Sequence, residues 1–551
     1  MIWQAILKTD RLRNFIFSPH LFSFAGLTGL FLLFHFEVIF QSKFYFNLWI
    51  FKNQLPFKDL FPKIYNSLNQ SSDFITHHLA NKYFIAQSLR EGMIPLWNPH
   101  VFSGFPQFAN GASILFSPWS LLYAYLPFFT AYKLQWGLTF LIGGILFYVF
   151  VSRCLRLRPF PCFLGTCVYL FCPFLTENAD IDSILGFLWV YPAVLILVER
   201  YFKAYEFKYM IWLAVVLSLS SYAAHIHVAF NAIILFFIYG CSKWYDSQGE
   251  QLNKLFFRHL FLSGIIFLGL SAASLLPFIE FLFHSQRGLT EGRGGSLLLP
   301  VELLSVLYPI ILKIPYINPI VSFLFSTPVT LHARGIYLGA LPVLLATVGI
   351  WVGIRTKFRK NGIFALLVLL YFIFNIIPIS KIHPFFDLLT ARYWTIYLFC
   401  LPILSAIVLE HLFCSSHIEK LRCVTRIFLF FIILPITFLS LFVSLFRSQI
   451  VGYALSQTGK ISGMMGRDVL QGDVRLRISE NLGDIFNLVS ITSPFIWIPL
   501  FVVLGFYCLL CFREKISLYW QGMVIFLFLL IDCFLIGSKF RPTVVSQNEL
   551  F

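Results

Sequence analysis

The chain has 551 residues, of which 58% are hydrophobic and only 12% charged, with a formal net charge of +16. A soluble domain carries about 25% charged residues, so this composition, with a mean hydropathy of +0.80, excludes a water-soluble enzyme and predicts an all-α polytopic membrane protein. The excess of basic residues is accounted for by membrane topology and calls for no nucleic acid.

The N-terminal stretch carries Lys8, Arg11 and Arg13 and has no small-residue cleavage site, so the first apolar run reads as an uncleaved anchor. Apolar runs of about twenty residues suit a hydrocarbon layer of about 30 Å. Such runs fall near 20–40, 133–152, 160–175, 183–199, 209–223, 228–241, 259–279, 336–354, 362–380, 393–411, 427–446, 491–511 and 519–538. They predict thirteen spans. A further run at 112–128 holds Pro118 and Pro127 and follows directly on a proline-rich loop, which favours a re-entrant or interfacial segment.

Lysine and arginine in short loops resist translocation. With the N-terminus cytoplasmic, alternate loops carry Arg153, Arg156, Arg158; Arg200, Lys203, Lys208; Lys243, Lys254, Arg258; Arg355, Lys357, Arg359, Lys360; Lys420, Arg422, Arg426; and Arg513, Lys515. The short loops 176–182 and 224–227 on the other side carry none. Three long loops, 41–132, 280–335 and 447–490, then fall outside, as does the tail 541–551. The working surface is therefore expected on the extracytoplasmic face.

In the first long loop, Asp73 precedes FITHHLANKYFIAQSLRE, where Ile75, Leu79, Tyr83, Ala86 and Leu89 recur at helical spacing and Gly92 supplies a stop. The string PLWNPHVFSGFPQFANGASILFSP follows. Pro95, Pro99 and Pro106 fix three φ angles, so a rigid loop is predicted, with Trp97 and Trp119 suited to the membrane interface. Two readings of this region stand side by side: a site, or a helix capped by Asp73 and anchored by tryptophans. The loop TENADID crowds Glu177, Asp180 and Asp182 together, and His225 and His227 share the next outer turn. The acids are either cation ligands or a solvated turn; the histidines either contact a substrate or cap a helix. The eleven cysteines show no metal spacing, and Cys508-x-x-Cys511 lies inside an apolar run, where two small apolar residues are expected.

The order Asp73, a helix bearing His77, then GMIPLWNPHVFSGFPQFANGASILFSPWSLLYAYLP resembles the opening of the YfhO-like family of bacterial membrane proteins, which belongs to the GT-C glycosyltransferases. WVYPAVLILVERYF (189–202), SLLPFIEFLFHSQRG (274–288), GIYLGALPVLLA (335–346) and HPFFDLLTARYWTIYLF (383–399) resemble later segments of that family. The likeness covers roughly 70 to 540. His225-x-His227 stands where His-x-Gln is expected, and His77 where a glutamine is common. Many relatives continue into a large extracytoplasmic C-terminal domain, which this chain is expected to lack, its contribution being either missing or supplied by a partner protein.

The resemblance implies a GT-C-like bundle of about thirteen transmembrane helices, residues 1–540, in a bacterial inner or plasma membrane. It implies transfer of a sugar from a polyprenyl-phosphate donor to an extracytoplasmic polymer or glycolipid acceptor. Asp73 is expected as general base and Arg392 as the donor-phosphate ligand, with Arg334 and Arg287 as further candidates. His77, Trp97, Asn98, His225 and His227 are expected to contact substrate. Asp180 and Asp182 have the spacing with which some GT-C enzymes hold Mg or Mn. Two other classes compete: a lipid or polysaccharide transporter or flippase, for which Asp532 and Glu37 are the ionisable residues within spans, and a non-catalytic envelope-assembly scaffold.

Overall fold

A computed structural model describes residues 19–41, 43–46, 78–101, 103–110, 115, 117–177, 179, 182–246, 250–284, 337–355, 359–376, 394–413, 418–449, 452, 490, 492–536 and 543–546. In lipid every backbone N–H and C=O must be satisfied within its own segment, so apolar runs become helices. The elements are α1 Pro19–Phe34, α2 Phe36–Phe40, β1 Lys43–Phe46, α3 Ala80–Arg90, α4 Ser120–Tyr125, α5 Phe128–Val149, α6 Pro159–Phe171, α7 Pro173–Glu177, α8 Asp182–Leu185, α9 Phe187–Ala204 and α10 Phe207–Ala223. They continue with α11 Ile226–Asp246, α12 Glu250–His284, α13 Ala340–Arg355, α14 Arg359–Ile376, α15 Trp394–Phe413, α16 Ile418–Phe428, α17 Leu434–Leu445, α18 Pro494–Cys511, α19 Leu518–Leu530 and β2 Thr543–Ser546.

Each predicted apolar run falls on one or two of these helices. Among the described residues nine helical segments, from Phe128–Cys154 to Leu518–Leu535, are long and apolar enough to cross a membrane, and α1, α10 and Ala340–Ile350 are shorter apolar helices. The chain is thus an integral membrane protein by construction. In the 112–128 region α4 has 6 residues, about 9 Å of helix, too short to cross.

The centre of the bundle is α15. It packs against α6, α9, α11, α13 and α14, and it is buried nearly all round from Thr395 to Leu409, as befits an apolar helix with no outward face. On the periphery, α12 turns Phe261, Ile265, Leu268, Leu276 and Phe283 outward, and the segment formed by α16 and α17 exposes Phe430, Phe431, Phe438 and Leu445. These are the faces that meet lipid.

Two rims result. At the basic rim, Arg158 pairs with Glu410 at 3.3 Å, Lys243 pairs with Glu199, and Arg422 donates to the Leu510 carbonyl at 2.9 Å. At the opposite rim, Phe174 packs on Trp394, Phe105 on Phe281, and the His225 N–H donates to the Ser183 carbonyl at 2.8 Å. Each of these contacts joins ends that the charge pattern places on one side.

The opposite rim also carries one small β-ribbon within this otherwise helical fold. β1, just after the first apolar run, pairs antiparallel with β2 in the C-terminal tail, Lys43 facing Ser546 and Phe46 facing Thr543. KFYF and TVVS are aromatic and β-branched, which suits a pleated ribbon, but neither pairs without the other, and some five hundred residues separate them. Residues Thr543–Ser546 of the tail are a paired strand.

Candidate functional site

On the rim opposite the basic one, the loop after α3 is built as a rigid hairpin. α3 ends on Gly92, whose φ is +73°. The Gly92 N–H donates to Leu89 O at 3.1 Å and the Met93 N–H to Ser88 O at 2.8 Å, the paired bonds that close a helix on a left-handed residue. The chain then doubles back. Asn98 and Phe105 exchange both backbone hydrogen bonds at 2.8 Å, and the Phe108 N–H donates to Leu96 O at 3.2 Å. At the tip Gly104 has φ +121°, and a Cβ there would collide with the Trp97 indole; only glycine lets the ring lie against the backbone.

The Asn98 side chain is committed to this architecture. Its Oδ1 accepts from the His100 N–H at 3.0 Å, and its Nδ2 donates to Asn81 Oδ1 on α3 at 3.2 Å. Asn98 is 1% exposed, and its side chain locks the hairpin onto the helix. Trp97, by contrast, faces outward.

The buried face of α3 also differs from the expected stripe. Asn81, Lys82, Ile85, Ala86 and Ser88 are buried while Tyr83 is exposed, because α3 packs on α4 and receives the hairpin on its polar shoulder. Lys82, 5% exposed, holds its ammonium 5.1 Å from the centre of the Tyr132 ring, a cation–π geometry. Arg90 donates to the carbonyls of Tyr123 and Leu126, and the Tyr123 hydroxyl donates to Gln135 Oε1 at 2.6 Å. Beyond the hairpin, Gln107 opens a 3-10 turn, is 0% exposed, and among the described residues neither its Nε2 nor its Oε1 has a hydrogen-bond partner. Asn81, Lys82 and Gln107 were not among the sequence candidates. The signal for them was weak: isolated polar residues in ANKYF and PQFAN, whose burial only the packing reveals.

A second polar group lies where α8, α9, α11 and α15 begin. The His225 and His227 rings stack at 4.8 Å, and the His227 N–H donates to His225 Nδ1 at 3.4 Å, so His225 helps cap α11. One turn deeper on the same face of α11 lies Asn231, whose Nδ2 donates to Thr395 Oγ1 at 3.4 Å. Tyr191 and Thr395 share a hydroxyl hydrogen bond of 2.6 Å. These bonds bring the histidine turn of α11 to Thr395 in the first turn of α15, three residues after Arg392 in the sequence.

Asp73, His77, Asp180, Arg287, Arg334 and Arg392 lie outside the described residues, as does the side chain of Asp182, whose backbone opens α8. The Mg or Mn expectation therefore stands on sequence alone; among the described residues no cluster of three or more His, Cys, Asp or Glu could hold a metal.

Asp532, one of the acids on which a transporter reading would lean, is fully buried and engaged. Its Oδ1 accepts from the Tyr337 hydroxyl at 2.7 Å and its Oδ2 from the Leu341 N–H at 2.9 Å. The Tyr337 oxygen in turn accepts from the Ala340 N–H at 3.1 Å. Two of the N–H groups that open α13 are satisfied in this way. Gly339, with φ +116°, lets the carboxylate approach; a Cβ there would sit 2.9 Å from Oδ2.

No family model matches the sequence, and no curated protein or solved structure matches it.

Proposed function

We propose that this chain is a membrane glycosyltransferase with a GT-C-like bundle of about thirteen spans, moving a sugar from a polyprenyl-phosphate donor to a polymer or glycolipid acceptor on the outer face of a bacterial inner or plasma membrane. One observation carries the reading. The first-loop hairpin with α3 exposes an apolar edge, Met93, Ile94, Leu96 and Trp97, each 54–61% exposed, and buries the polar side chains Asn81, Lys82, Asn98 and Gln107. A lipid-linked polar substrate has these two halves, and water-soluble substrates call for no such edge. The resemblance of the Asp73-to-Pro118 segment to YfhO-like proteins points the same way.

In this reading the acceptor hydroxyl oxygen attacks the anomeric carbon, and the bond from that carbon to the phosphate oxygen breaks. The electron pair leaves with the polyprenyl phosphate, and the hydroxyl proton passes to the Asp73 carboxylate. An ordinary aspartate, pKa about 3.9, is a weak base, so positioning supplies more of the rate than basicity. The leaving group departs charged and needs cations; Arg392 is assigned that role, with Arg334 and Arg287 in reserve. The acids Asp180 and Asp182 would hold Mg or Mn if a metal assists. A transporter is less well supported, because Asp532 is engaged in capping α13.

The test is transfer of radiolabelled sugar from synthetic polyprenyl-phosphate donors to membrane extracts, comparing the wild-type chain with Asp73→Asn. Transfer by the wild type and its loss in the variant, at equal expression, is the expected result. Full activity of Asp73→Asn would remove the base assignment, and absence of transfer from every donor would remove the reading.

A further inference from the structure

A buried carboxamide without partners is costly. A buried donor or acceptor left unmatched keeps its full desolvation penalty, and native interiors leave few such groups. Gln107 is 0% exposed, and among the described residues both ends of its amide are unbonded.

Nothing local lets the side chain escape to water. Pro106 precedes it with φ −72°, the Ala109 N–H donates to Pro106 O at 3.1 Å, and the Asn110 N–H donates to Gln107 O at 3.4 Å. On either side of Gln107 the backbone is tied to the outgoing strand of the hairpin, at Phe105 to Asn98 and at Phe108 to Leu96. The 3-10 turn packs against α12, with the Phe105 ring against Phe281. A loop tied in this way holds a donor and an acceptor side by side on the strand that pairs with the one carrying the exposed Leu96 and Trp97. Preorganised polar groups of this kind fix a ligand's orientation.

Resting on the glycosyltransferase reading, we infer that Gln107 is a binding residue for the sugar of the lipid-linked donor, its amide matching a hydroxyl that gives and takes a hydrogen bond at once. The chemistry suits a sugar hydroxyl better than the phosphate: a carboxamide offers an acceptor beside its donor, and an ionised phosphate can use only the donor, while the same hairpin region supplies the buried cation Lys82 separately. Were Gln107 merely a packing residue, an apolar residue of similar size would serve as well and remove the desolvation cost.

That contrast gives the test. Wild type, Gln107→Leu and Gln107→Met are purified in detergent, and binding of synthetic polyprenyl-phosphate glucose, galactose and N-acetylglucosamine is compared with that of bare polyprenyl phosphate. The expected result is at least about a tenfold loss of affinity for the preferred sugar donor in both variants, the worth of one or two hydrogen bonds. Affinity for bare polyprenyl phosphate stays unchanged, and the ligand-free thermal midpoint is equal to wild type or higher. Equal losses for donor and bare carrier, unchanged donor affinity, or a lowered midpoint in both variants would overturn the inference while leaving the proposed reaction standing. Wild-type protein that binds neither carrier nor donor would overturn the reaction and this assignment with it.

Discussion

The Tyr337 hydroxyl donates to Asp532 across 2.7 Å and 195 positions of sequence. Through this pair the last membrane helix closes the open N-terminus of α13, since the other carboxylate oxygen accepts from Leu341. An acid buried in an apolar bundle is thereby matched by donors from a helix end, and its role is architectural.

Replacing it has a predictable cost. Asp532→Ala strips the Leu341 N–H and the Tyr337 hydroxyl of their acceptor and should cost about 2–4 kcal/mol. Tyr337→Phe should cost about 1 kcal/mol. Thermal unfolding in detergent would show the larger drop for the aspartate variant; equal midpoints for both and wild type would mean that the cap contributes nothing.

At the hairpin, Gly104→Ala forces a left-handed position on a residue with a Cβ and drives that atom into Trp97. A destabilisation of about 1–3 kcal/mol confined to the loop is expected. Limited proteolysis should cut the variant faster within the 92–110 region than the wild type, with helices elsewhere equally resistant. An unchanged cleavage pattern would show that the ring does not need the glycine.

On the basic rim, Glu199 is buried, pairs with Lys243, and accepts from the Tyr239 hydroxyl at 2.6 Å. Removing one partner leaves the other charge without its counter-ion in a largely apolar setting. Glu199→Gln and Lys243→Met should therefore each cost about 3 kcal/mol, and the double variant should recover part of the sum. Strict additivity in unfolding free energies would argue that the two side chains act independently.

Orientation can be read by labelling. In a background lacking the native cysteines, Met93→Cys should react with a membrane-impermeant maleimide in intact cells, because Met93 is exposed on the rim proposed to face outward. Lys203→Cys, exposed on the basic rim, should react only after the membrane is opened. The reverse pattern would invert the proposed topology.

Much of this architecture is legible in one dimension. A lipid-soluble run must hydrogen-bond its backbone within itself, so the apolar stretches announced helices, and the basic clusters announced which ends would share a rim. The turn at Gly92 and the stiffness of the WNP loop were also readable, since glycine and proline act through their own φ angles. Other features were not. That Asn98 would be consumed in holding Asn81, that Lys82 and Gln107 would lie buried, that KFYF would find TVVS, and that Asp532 would cap α13 all depend on partners far away in the chain. Period and composition report what a residue prefers; whether a polar side chain is buried, and what it meets there, is decided only when helices pack, because burial and hydrogen bonding are properties of pairs of surfaces and not of single residues.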